Sequence, residues 1–146
     1  MGQKLRRFSG GLHLFVGVGA LAGGSAAILN PRSPLGIPPE TLQYSPFTDF
    51  LIPGLILFVL LGLGNLAAGL LVLRRFKFSG YAGILLSGAL VFWIIIQCVM
   101  LRSVVFLHVL FFGIGVSGGV LALILMDEEH LFPLPELRRF LDRPRG

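Results

Sequence analysis

The sequence predicts an all-α membrane protein: four transmembrane helices in an up-down-up-down bundle, N and C termini cytoplasmic, with an ordered Pro-rich outer loop. Three observations carry this reading. Four apolar blocks, about 8–29, 50–73, 79–101 and 104–126, each reach the ~20 residues that a helix needs to cross a bilayer core. Of 146 residues, 55% are hydrophobic and only 13% charged, with a mean hydropathy of +0.88; a soluble domain of this size has no interior large enough for so much apolar surface. The third observation is the placing of the basic residues. Lys4, Arg6 and Arg7 precede the first block, Arg74, Arg75 and Lys77 join the second to the third, and Arg138, Arg139, Arg143 and Arg145 follow the fourth, whereas the opposite side has only Arg32 and Arg102. This is the positive-inside distribution, and it puts both termini in the cytoplasm and loops 30–48 and 102–103 outside.

The first block, 8–29, follows a basic stretch and contains Gly23-Gly24-Ser25-Ala26-Ala27, which resembles a signal-peptide cleavage site. It is read as a retained helix, because losing it would break the even four-pass arrangement. Its glycines include the Gly19/Gly23 GxxxG pair, and the fourth block repeats the device with Gly115 and Gly119. Small residues let helices approach closely in lipid, so these four glycines are expected at helix-packing surfaces, within the bundle or between copies.

The outer loop, 30–48, contains prolines at 31, 34, 38, 39 and 46 with Leu35, Ile37, Leu42, Tyr44 and Phe47 spread among them. Prolines lower the entropy lost on ordering, and a free linker would be more polar, so an ordered lid over the outer end is expected. Ser45-Pro46 fits an N-cap followed by Pro at the first helical position, which would put Asp49 in the first turn of the second helix. Pro53 is expected to add a small kink. The linkers after the second and third blocks are short, which forces antiparallel neighbours.

Residues 1–126 thus form the transmembrane domain and 127–146 a cytoplasmic tail. In the tail, Leu137, Phe140 and Leu141 at i, i+3 and i+4 among Arg138, Arg139 and Arg143 predict an amphipathic helix on the inner leaflet.

Ser45-Pro-Phe-Thr-Asp-Phe-Leu-Ile-Pro-Gly54, with Asn30-Pro31 and Leu35-Gly36, resembles a recurring pattern in small uncharacterised bacterial four-helix inner-membrane proteins. The resemblance covers the first helix, the lid and the second helix. It implies a bacterial inner membrane and an ordered lid, and it carries no activity and no functional residues.

Chemistry-bearing residues are sparse. No Asp, Glu, Lys or Arg lies in the middle of a block, which argues against ion-coupled transport. His13 and His108 fall near opposite surfaces and cannot clamp one haem iron; no cofactor and no metal site is expected. Cys98 is a single thiol with no internal disulfide partner. Trp93 is mid-helix and expected to pack between helices, while Tyr44 and Tyr81 fall at the outer and inner interfaces. The polar residues that the topology gathers are Asp49, Gln97, Arg102 and His108, all in the outer quarter. They form either a structural network, with Asp49 pairing Arg102, or a pocket under the lid for a lipid headgroup or small ligand. With no nucleophile, metal set or phosphate loop, no catalytic residue is assigned. The net charge of +5 is accounted for by flanks facing anionic lipid, so no nucleic-acid partner is expected. The expected function is a non-enzymatic inner-membrane module that binds membrane lipids or a partner membrane protein, itself included. The alternative is a small carrier or lipid-modifying enzyme using the outer polar pocket.

Overall fold

The computed structural model describes residues 2–131, 133, 135 and 136. The tail helix expected around Leu137, Phe140 and Leu141 lies outside the described residues. Among the described residues there is no strand, and four helices are long and apolar enough to span a membrane: α1 (Gly2–Leu29), α2 (Leu51–Leu73), α3 (Ser79–Leu101) and α4 (Phe106–Glu128). Only 28–33% of each hydrophobic span is buried inside the bundle. The apolar remainder, with Phe8, Leu85, Phe92, Val99 and Phe106 among its exposed side chains, is the surface of a multi-pass membrane protein, covered by lipid rather than water.

α1 packs against α2 and α4, and α3 packs against α2 and α4. The starts of α1 and α3 therefore meet the ends of α2 and α4 at one end, which carries Lys4, Arg6, Arg7, Arg74, Arg75 and Lys77 and is called here the basic end. The loop of residues 30–50 and the α3–α4 turn form the opposite, loop end. α1 starts at Gly2, ahead of the apolar block, so the basic segment is part of the helix and not a tail before it.

α1 and α2 interlock at intervals of a heptad. Leu73, Leu66 and Phe58 of α2 fill the spaces left by Gly10, Gly17 and Gly24, while Leu14 and Leu21 of α1 fill those left by Gly69 and Gly62. The α1 glycines are seven residues apart. Their α2 partners step by seven from Leu73 to Leu66 but by eight from Leu66 to Phe58. The extra residue falls where α2 is wound as a π-helix, Leu57–Leu63. An inserted residue in one helix would rotate everything beyond it off the seam; the wider π turn absorbs it and keeps both halves of α2 facing α1. This is the irregularity in α2, a few residues beyond Pro53, which lies in its opening helical turn.

α3 and α4 run antiparallel in the same way: Gly80 meets Met126, Gly83 meets Ala122, and Gly118 and Gly115 receive Ser87 and Val91. Between the two pairs, Val16, Ala20, Leu61, Leu90, Trp93 and Ile94 form an apolar core. α1's close approaches are thus at Gly10, Gly17 and Gly24. A β-carbon on Gly19 would stand 3.6 Å from Phe111, in ordinary contact, and one on Gly23 would stand 3.3 Å from Leu57. Gly115 lies in the tight α3–α4 seam, with Val91 at 2.8 Å, and Gly119 at its margin, 3.8 Å from Ser87.

Residues 30–50 contain two 3₁₀ turns, Pro34–Gly36 and Pro39–Leu42. The segment is tied back on itself by Phe50 N–H donating to Pro31 O at 2.9 Å, and Leu42 is buried. Ser45-Pro46 does not open the second helix. Ser45 Oγ instead bonds Leu42 O and the Phe47 N–H in a local turn, and α2 begins at Leu51. The α3–α4 connection is longer than Arg102-Ser103 because Val104 and Val105 also stay out of α4. α2, α3 and α4 are each followed by a basic residue at positive φ, Arg75, Arg102 and His130. Such a residue accepts a left-handed backbone that glycine would adopt more cheaply.

Candidate functional site

At the loop end, three of the four residues singled out from sequence have a defined partner. Asp49 lies ahead of α2, and its Oδ1 accepts the Leu51 N–H at 3.0 Å. His108 is buried near the start of α4, where its Nδ1 accepts the Val105 N–H at 3.2 Å. The Arg102 guanidinium lies 3.8 Å from the centre of the Tyr44 ring, a cation–π contact that ties the α3–α4 turn to the loop. Gln97 is half-buried on α3. The Asp49 and His108 bonds satisfy donors that every helix start leaves orphaned.

The better-built constellation is at the other end. On α1, Arg6, Ser9 and His13 follow one another at i, i+3 and i+7, which puts them on one face, the face that continues into Val16 and Ala20. On α3, Ser79, Gly83 and Ser87 repeat every fourth residue on the buried face. His13 is 3% exposed, Asn65 1%, Ser9 1% and Ser79 0%. Arg6 forms a hydrogen-bonded ion pair with Glu129, just past the end of α4.

His13 and Asn65 form the centre. His13 Nδ1 lies 2.7 Å from Asn65 Oδ1, and Asn65 Nδ2 donates to Leu61 O at 2.8 Å. The second bond orients the amide: with its NH₂ committed to a carbonyl, Asn65 presents its oxygen to His13. An amide oxygen only accepts, so His13 Nδ1 carries the proton, and Nε2 in the neutral ring is a lone-pair acceptor. That acceptor has no hydrogen-bond partner among the described residues. It faces α3, 3.4 Å from where a β-carbon on Gly83 would stand. The carbonyl that starts this chain of bonds belongs to the π segment of α2, so the same irregularity that keeps α2 in register also abuts the polar centre.

Chemically, the arrangement offers a fixed hydrogen-bond or proton acceptor at the end of a polar face, inside an apolar bundle. Among the described residues no group of three His, Cys, Asp or Glu side chains is placed to hold a metal ion. The sequence places His13 near one surface but does not join it to Asn65. The signal available was the i, i+3, i+7 spacing of Arg6, Ser9 and His13. The pairing itself depends on the α1–α2 register, which no pattern within either helix states. Compared with protein-family models, curated proteins and solved structures, the chain matches no family model, no curated protein and no solved structure.

Proposed function

We propose that this protein is a non-catalytic module of the bacterial inner membrane, with both termini in the cytoplasm, that binds lipid or a partner membrane protein along the α3–α4 face. The observation that carries the reading is a groove of about 300 Å³ on that face, bounded by Ile84, Val91, Phe92, Ile95 and Val116 with Gly88, Gly115 and Gly119 among its lining residues. Gly88 has nothing within 4 Å of the point where a β-carbon would stand. The bundle's own packing therefore does not require glycine there, although glycine is the poorest helix former after proline. Keeping it leaves a shallow apolar seat that fits an acyl chain or the side-chain ridge of another helix.

The orientation rests on the basic end, since Lys and Arg near the ends of membrane helices are retained on the cytoplasmic side. The local bonding of Asp49 and His108 and the stacking of Arg102 on Tyr44 favour a structural role for the loop end over a catalytic or carrier pocket.

The test uses the full-length protein in membranes of its bacterial host with a photoactivatable phospholipid that has its reactive group on the acyl chain. Label at Val91, Phe92 or Val116, abolished by Gly88→Leu, supports the lipid form of the reading. Crosslinking of Gly88→Cys to a second copy or another membrane protein, in a Cys98→Ala background, supports the protein form. A groove that gives neither overturns both.

A further inference from the structure

We propose that a water molecule bound to His13 Nε2 is an integral part of the folded protein. It is the innermost member of a short hydrated file that enters at the basic end and stops at the apolar layer of Val16 and Leu90. The first support is an acceptor unpaired among the described residues, Nε2 of a side chain that is 3% exposed. Leaving such an atom unpaired in an apolar surrounding costs about 1–3 kcal/mol, so buried polar atoms are almost always bonded, to water where the protein supplies nothing.

The second support is room of the right size. A void with about 10 Å³ for the centre of a water is lined by His13, Asn65 and Ser87 together with apolar Leu12, Leu90 and Ile114. That is close to the space one water needs, and a water also needs at least two polar partners. His13 Nε2 accepts one of its protons, and the Ser87 hydroxyl is the second partner on the lining. An organic ligand does not fit in this volume. A cation would sit among apolar walls with the Glu129 carboxylate already engaged by Arg6 at the bundle end, and the desolvation of an unpaired ion costs several kcal/mol. Water is the occupant that chemistry and volume allow.

The third support is the route. Ser9 Oγ, Ser79 Oγ, Arg6 Nη1 and Glu129 Oε2 are also buried without a partner among the described residues. Ser9 is one helical turn from His13 toward the basic end, and Ser79 is one turn from Gly83 in the same direction. Unsatisfied donors and acceptors thus continue from the void to the bundle end. In the other direction, Ala20, Leu61 and Ile94 provide no polar side chain; the Trp93 indole N–H is buried there without a partner among the described residues, but Trp93 does not line the void, so the file has one mouth.

The experiment is proton-detected solid-state NMR of the full-length, isotopically labelled protein in phospholipid bilayers, reading magnetisation transfer from water. The signals of His13 are identified by their loss in His13→Leu. The expected result is a His13 ring protonated at Nδ1 and bare at Nε2, with water transfer strong at Ser9, present at His13 and absent at the Ala20 methyl. Gly83→Ala puts a methyl 3.4 Å from Nε2 and should cut transfer to His13 severalfold while the Nδ1 tautomer persists. A wild-type ring protonated at Nε2, or transfer to His13 no stronger than to Ala20, overturns the proposal. Both readings come from the wild type, so the outcome stands even if Gly83→Ala fails to fold.

Discussion

The backbone nitrogen of Phe58 lies 2.8 Å from the point where a β-carbon on Gly24 would stand, with the carbonyl oxygen of Gly54 2.9 Å from the same point. Both are main-chain atoms, so a methyl group at residue 24 fits only if α1 and α2 separate. Gly24→Ala is expected to lose roughly 1–3 kcal/mol, the usual cost of overpacking. Gly11→Ala, with nothing within 4 Å of the new methyl, is expected to be neutral or slightly stabilising, because alanine is the better helix former. Denaturation in mixed micelles compares the two; equal losses would remove the seam as the reason for Gly24.

The eight-residue step in α2 makes a second prediction. Deleting Val59, which is exposed and lies within the π segment, should convert that segment to α-helix and leave the contacts on either side in place. Deleting Phe92, also exposed, on α3, should instead rotate half of that helix by about 100° and break its seam with α4. The expected outcome is a folded, helical protein for the first deletion and a loss of folded yield for the second, read by thermal unfolding in detergent. A Val59 deletion as damaging as that of Phe92 would mean the π turn is not an absorbed insertion.

The bond between His13 and Asn65 predicts a non-additive pair. Asn65→Leu leaves the His13 Nδ1–H without its acceptor, and His13→Leu leaves the Asn65 oxygen without its donor; each is expected to cost about 1–3 kcal/mol. The double variant should cost less than the sum, with a coupling of about 0.5–2 kcal/mol, the range found for hydrogen bonds between membrane helices. Strictly additive losses would show that the two side chains act independently.

Sidedness is checked by labelling. In a Cys98→Ala background, Lys77→Cys is expected to react with a membrane-impermeant maleimide only after the membrane is opened, and Ile37→Cys to react in intact cells. Residue 77 lies in the connection from α2 to α3 at the basic end, and Ile37 is a half-exposed residue of the loop at the other. Labelling of residue 77 in intact cells would reverse the orientation inferred from the basic residues.

The four spans are legible from sequence because lipid imposes a one-dimensional rule: about 20 apolar residues per crossing, whatever the neighbours are. α3 runs over the predicted residues, and α2 and α4 begin one or two residues later than their apolar blocks. α1 departs further, since helix propensity carries it through Lys4, Arg6 and Arg7 after hydropathy has stopped marking it. The start of α2 was less legible. Ser45-Pro46 is a sound local N-cap pattern, but Ser45 spends its hydroxyl on Leu42 O and Phe47 N–H, and Asp49 supplies the donor's partner at the true start.

By itself the sequence determines the class, the number of spans and the asymmetry of charge, because each depends on composition along the chain. The tertiary structure decides the rest. It picks Gly10, Gly17 and Gly24 over Gly19 and Gly23 for the closest approaches of α1. It turns an extra residue of α2 into a π turn, and it joins His13 to Asn65, 52 residues away. All three follow from the register of one helix against another, and register is set by which knob meets which gap across the seam, a relation that no single helix contains.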